Sequence, residues 1–132
     1  MPSPTQVVLD FLKALEAPGG FPQAIRDYFT ETTRYLNVGM SDTTGIPDTV
    51  AFVEGFMAST GTDHMTVDML ALAEDGDKVL TERIDHLRAP SGKAVMSLAV
   101  MGIFEVEGSK ITGWRDYFDT AGNAAGAAAL NA

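Results

Sequence analysis

The chain has no cysteine among its 132 residues. That removes disulfides, thiolate metal sites and cysteine nucleophiles in one step. Histidine is nearly as scarce: His64 and His86 are the only two, and they match no metal-ligand spacing. Positive charge is also thin, with 9 Lys and Arg against 18 Asp and Glu and a net charge of −9. Nucleic-acid binding draws on clustered Lys and Arg, so the balance argues against a nucleic-acid partner, and equally against an anionic membrane surface. The longest apolar run, Leu98 to Phe104, is far too short to span a bilayer. No basic stretch precedes an apolar run at the N-terminus, so no signal peptide is expected. The expectation is a cytoplasmic protein that binds neither nucleic acid nor membrane.

What remains is the composition of an ordinary globular domain, 45% hydrophobic and 20% charged. A chain of this length buries roughly two-thirds of its unfolded surface, enough for a core and a pocket. One domain is expected over residues 1–119, followed by an Ala/Gly-rich tail over 120–132. Ser3-Pro4-Thr5-Gln6 reads as a helix start, with Ser3 as cap and Pro4 in the first turn. Val7, Val8, Phe11, Leu12 and Leu15 then recur at helical spacing. A short second helix is expected over 21–29 and a strand over 32–38. Residues 39–45 read as a polar loop. A third helix opens at Pro47, with Val50, Val53 and Met57 on one side and Phe52 and Phe56 as a second apolar pair.

Four strands follow, over 65–73, 78–88, 93–106 and 110–118, joined by Gly-containing turns. Short turns imply antiparallel pairing. The order predicts an α+β domain: helices on one face of a curved antiparallel sheet. The strand 93–106 is apolar on both sides. Ala94, Met96, Leu98, Val100 and Phe104 share one face, and Val95, Ala99, Met101 and Ile103 the other. A sheet covered on one side only should be polar on its free face. The pattern therefore predicts a second subunit over the outer face, a homodimer.

The chemistry concentrates where carboxylates sit on apolar strand faces. In a strand, residues two apart point the same way. Arg83 and Asp85 therefore project together, and Asp116 projects with Trp114 and Phe118. An Arg-x-Asp pair is ordinarily an exposed salt bridge worth little, and Asp116 by itself could be an edge residue. As a unit they say more. An arginine between two carboxylates can hold both by charge-assisted hydrogen bonds. Apolar walls and a second carboxylate raise a carboxyl pKa. One protonated and one ionised carboxyl make a general acid and a general base. Tyr35 and Asn37 add a hydroxyl and an amide on one strand face, which could hold a water.

Three segments, Tyr35-Leu36-Asn37, Thr81 to Arg88 and Gly113 to Asp119, closely resemble the limonene-1,2-epoxide hydrolase family. The resemblance runs from about Thr5 to Asp119, and the last segment is its most specific part. It implies a cone-shaped α+β fold of the nuclear-transport-factor-like and SnoaL-like kind, usually dimeric, with a deep pocket between sheet and helices. It implies Asp85 as acid, Asp116 as base, Arg83 as the bridge between them, and Tyr35 and Asn37 as the pair that positions water. The loop 39–45 and the tail differ in character from the family and bear on the substrate.

The expected reaction is one-step hydration of a small apolar epoxide, terpene-like or alicyclic, to a vicinal diol. No metal and no organic cofactor is implied. Strand faces and the resemblance together nominate Leu12, Leu15, Leu87, Leu98, Val100, Trp114 and Phe118 as pocket wall; plain core packing accounts for each equally well. His86 points away from Asp85, and neither it nor His64 has an expected role. Two other readings stay open: a ketosteroid-isomerase-like or polyketide-cyclase-like enzyme, and a non-catalytic small-molecule-binding module. Contact of Arg83 with both carboxyls would favour hydration; Asp116 turned to solvent would rule it out.

Overall fold

The structure is a computed structural model and describes residues 2–121. Ser3 caps the first helix, its Oγ accepting from the Gln6 N–H at 3.1 Å. Helix α1 spans Pro4–Ala14, α2 Gly20–Tyr28 and α3 Ile46–Thr60. The strands are β1 Phe29–Asn37, β2 Ser41–Thr44, β3 His64–Asp75, β4 Lys78–Arg88, β5 Ala94–Glu107 and β6 Lys110–Tyr117. They form one sheet in the order β2-β1-β6-β5-β4-β3. The β3–β4 and β5–β6 turns are two residues long, and each opens on a glycine, Gly76 at φ 60° and Gly108 at φ 61°. Two-residue hairpins require that left-handed conformation.

Two expectations need correction. Residues 39–45 are not wholly loop: Ser41–Thr44 pairs antiparallel with β1. The sheet is also not antiparallel throughout, because β1 runs parallel to β6. The short-turn argument covers only strands consecutive in sequence. β1 and β6 are joined by most of the chain, so nothing about turns constrains their direction. From 122 onward the expected tail lies outside the described residues.

The sheet is curved and unclosed, with three helices. Register shifts in β1, in β3 and near the ends of β4 and β5 are the local breaks that bend strands. The core lies between α1 and α2 and the inner face of the sheet. Phe11, Ile25, Phe29, Phe104, Ile111 and Trp114 are all buried there. Phe11 and Phe104 each pack on Trp114, at centroid distances of 5.3 and 5.0 Å. No helix among the described residues is long and apolar enough to cross a membrane. On the outer face Leu70 and Met101 are 57% and 55% exposed, and Leu80 and Tyr117 are also exposed.

Candidate active site

Alternation along β4 turns Thr81, Arg83, Asp85 and Leu87 inward, all buried, and the residues between them outward. Arg83 is wholly enclosed. Its Nε donates to Asp85 Oδ1 at 3.0 Å and its Nη2 to Asp85 Oδ2 at 2.9 Å. Nη2 also donates to Asp116 Oδ2 at 2.9 Å, and Nη1 to Asp116 Oδ1 at 3.2 Å and to Thr81 Oγ1 at 2.9 Å. A guanidinium has five N–H donors, and here each has an acceptor. Burial alone would lower the arginine's pKa. The carboxylates of Asp116 and Asp85 outweigh it and hold the pKa above its usual value. The ring of Phe104 lies 5.6 Å from the guanidinium carbon, within cation–π range.

Asp116 on β6 accepts a third hydrogen bond, from Trp114 Nε1 to Oδ1 at 2.7 Å. Burial pushes its carboxyl up to about 6, against the pull of Arg83. It is therefore mostly ionised at neutral pH and close to the range suited to proton abstraction. Parallel pairing of β1 with β6 sets Tyr35 beside Trp114 and Asn37 beside Asp116. Tyr35 stacks on Trp114 with centroids 4.2 Å apart and planes 15° apart. Burial, and after it the Asp116 charge, raises the Tyr35 phenol above its usual range, so it stays a hydroxyl. Asn37 Nδ2 donates to Ser41 Oγ at 3.0 Å.

These groups form the polar end of a cavity of about 390 Å³, within the size range of small-molecule sites. Leu87, Leu98, Val100, Trp114 and Phe118 line it, together with Asp85, Asp116, Tyr35 and Asn37. Leu12 and Leu15 do not. Both are buried in the core cluster, because α1 packs its apolar stripe into the protein interior. The helical wall comes instead from Phe52, Val53, Phe56 and Thr60 of α3 and Phe21 of α2. Met40, Met65 and Met96 add three flexible thioethers.

Sequence reasoning missed Thr81, Ser41 and the hydrogen-bonding role of Trp114. Thr81 and Trp114 carried a usable signal, since each stands two residues from a charged site residue on a strand. Ser41 did not, because its strand was read as loop. The two histidines lie elsewhere. His64 pairs with Asp63 at 2.9 Å. His86 lies on the outer face, bonded to Ser97 Oγ and Asp68 Oδ2 at 2.8 Å each. Among the described residues no cluster of three or more His, Asp or Glu could hold a metal.

Solved structures of known proteins share this architecture. An LEH-like epoxide hydrolase of M. tuberculosis superposes with a TM-score of 0.75 at 30% identity, over 97% of this chain and 91% of that one. A protein of ketosteroid isomerase-like fold from Catenulispora acidiphila gives 0.74 at 16% identity, over 96% and 95%; that likeness speaks to fold alone. In sequence, 85 residues are 38% identical to epoxide hydrolase EphG of Mycobacterium tuberculosis. The match takes in 64% of this chain and 54% of that protein, so it spans about half of the relative's length. The strands carrying Arg83, Asp85 and Asp116 fall within a longer match still: the family model for the limonene-1,2-epoxide hydrolase catalytic domain covers residues 2–124, and the chain belongs to that family.

Proposed function

We propose that the protein is an epoxide hydrolase that adds water to a bulky apolar epoxide, terpene-like or alicyclic, and releases a vicinal diol. The observation that carries this reading is the single guanidinium shared by two buried carboxyls at the polar end of an apolar cavity. An epoxide oxygen leaves poorly as a bare alkoxide, so a proton must reach it as water attacks carbon. Asp116, ionised, takes a proton from the attacking water. Asp85 gives its proton to the epoxide oxygen as the C–O bond breaks and the new C–O bond forms. Asp116 accepts three N–H bonds, from Arg83 and Trp114, which favour its charged form. Tyr35 and Asn37 flank Asp116 and orient the water; Ser41 holds the Asn37 amide. Arg83 stays charged throughout and keeps both carboxyls in place. The pair resets when the proton moves from Asp116 back to Asp85 through water or product.

No covalent ester and no metal or organic cofactor enters this scheme, and catalysis belongs to one domain, residues 1–119. The exposed apolar outer face is the surface that a second copy would cover in a cytoplasmic homodimer. The test is a panel of alicyclic and aryl epoxides assayed for diol. Wild type turns over at least one, and Asp116→Asn stays folded and loses the activity. Under single turnover in heavy-oxygen water the label enters the diol and not the protein; label in Asp85 or Asp116 would contradict the one-step scheme. Exhaustive dialysis against a chelator leaves the rate unchanged.

A further inference from the structure

Arg83 stands on β4 and Asp116 on β6, and β5 runs between them. Adjacent strands lie about 4.8 Å apart, so the ion pair must cross roughly 10 Å over an intervening strand. The register places Thr81, Gly102 and Asp116 side by side on β4, β5 and β6. On the inner face of β5 the positions before and after Gly102 are Val100 and Phe104, both buried. A side chain in the row between them would stand in the path of the guanidinium.

Gly102 is not among the glycines with positive φ, so its backbone conformation is open to any residue. What requires glycine there is space. A Cβ would overlap both Asp116 Oδ1 and Arg83 Nη1. Neither atom is the loose end of a mobile side chain. Both are buried, and both are held by further hydrogen bonds. Thr81 completes the arrangement from the other side of the notch. Its hydroxyl donates to the Gly102 carbonyl at 3.0 Å. That spends its only proton and leaves its lone pairs to Arg83 Nη1 at 2.9 Å.

The geometry points to Gly102 and Thr81 as positioning residues of the site: the missing side chain of one and the hydroxyl of the other hold the guanidinium in its crossing from Asp85 to Asp116. Neither touches the reacting atoms. They act through Arg83 on the ionisation of Asp116. The charged and titratable groups that face Asp116 are Arg83 and Asp85 from β4 and Tyr35 from β1. β5 presents the uncharged Met96, Leu98, Val100 and Phe104 on that side, and α2 and α3 present Phe21, Phe52 and Phe56.

The test is Gly102→Ala, followed by carboxyl-detected NMR titration with labelled aspartate. Asp116 is assigned by loss of its signal in Asp116→Asn. Pushing the guanidinium off Asp116 removes the charge that opposes burial, so the Asp116 midpoint rises. The kinetic consequence rests on the hydrolase reading: kcat at neutral pH falls about a hundredfold, and its acid limb moves up with the midpoint. Gly55→Ala on the exposed side of α3, where a Cβ meets nothing within 4 Å, leaves midpoint and kinetics unchanged. If Gly102→Ala does not fold, Thr81→Val carries the same test without added bulk and shifts the midpoint the same way. An unchanged Asp116 midpoint in a folded Gly102→Ala protein, or in Thr81→Val where that alone folds, overturns the inference. A wild type that hydrates no epoxide, with the midpoint shift intact, sinks the hydrolase reading and leaves the positioning role standing.

Discussion

Trp114 Nε1 donates to Asp116 Oδ1 at 2.7 Å from two residues away on the same strand. The indole therefore does two jobs at once. Its ring is a wall of the cavity and the stacking partner of Tyr35, and its N–H is a donor to the Asp116 carboxyl. A hydrogen bond to a charged group contributes about 1.5–3 kcal/mol, and it favours the ionised carboxyl.

Trp114→Phe separates those jobs. Most of the ring packing survives and the donor is lost. The acid limb of the kcat profile should move up by roughly one pH unit, because Asp116 is less readily ionised without the indole. Stability should fall by about 1–3 kcal/mol from the smaller ring in a buried site, read as a lower urea midpoint. A variant with altered stability and an unmoved acid limb would assign Trp114 to packing alone.

The pH dependence follows from the same group. Burial raises Asp116 to about 6, and the proposed role of general base requires it ionised. Activity should hold through neutral pH and fall about tenfold per pH unit well below that midpoint. The sign is set by the direction of the shift. At an ordinary carboxyl value near 4 the loss would begin about two units lower. Steady-state kcat over a buffer series distinguishes the two.

Arg83→Lys keeps the charge and loses the fork. An ammonium has three donors and no planar geometry, so it cannot replace five N–H contacts to Asp85, Asp116 and Thr81. Breaking a buried pair typically costs about 3–5 kcal/mol. The expected result is a loss of that order in urea denaturation, with kcat reduced at least about a hundredfold. Near-wild-type stability would mean that water replaces the lost contacts.

Much of this was legible in the sequence. Arg83, Asp85, Trp114 and Asp116 followed from period-two alternation, which needs only the strands to be located. What failed were the relations that alternation does not encode. The partner and direction of β1 depend on a contact with β6 across most of the chain, so the parallel pairing was invisible. Leu12 and Leu15 have the composition of pocket wall and of core alike, and only the docking of α1 decides between them. Phe52 and Phe56 stood out as a second apolar pair on α3, and the structure turns that pair toward the cavity. Gly102 gave no signal as a single residue. Its meaning appears only when three strands stand in register.

The α3 pair yields a specificity prediction. Phe56 lines the cavity from α3 and its side chain carries no hydrogen-bonding group. Phe56→Ala removes apolar contact that ground state and transition state share. KM for a compact epoxide should rise about tenfold with kcat little changed. Epoxides bulkier than the wild type accepts should become substrates. A fall in kcat with KM constant would mean that Phe56 orients the reacting carbon.

The outer face carries the prediction about assembly. Leu70, Ile84, Ala99, Met101 and Tyr117 line a shallow groove there together with Glu82, and Leu70 and Met101 are more than half exposed. Exposed apolar side chains clustered on one sheet face cost solubility unless covered. The proposed homodimer across this face would cover them symmetrically, each copy offering the same patch. Leu70→Glu combined with Met101→Lys puts charge into the middle of that patch, with the Met101 side chain exposed on the sheet face opposite to that of Val100 and Gly102. The wild type should sediment as a dimer and the double variant as a monomer at the same concentration. Because β4 and β5 carry both the patch and the Arg83 crossing, monomer formation should lower thermal stability more than the two surface changes would in a protein already monomeric. An unchanged sedimentation coefficient would place any self-association elsewhere on the molecule.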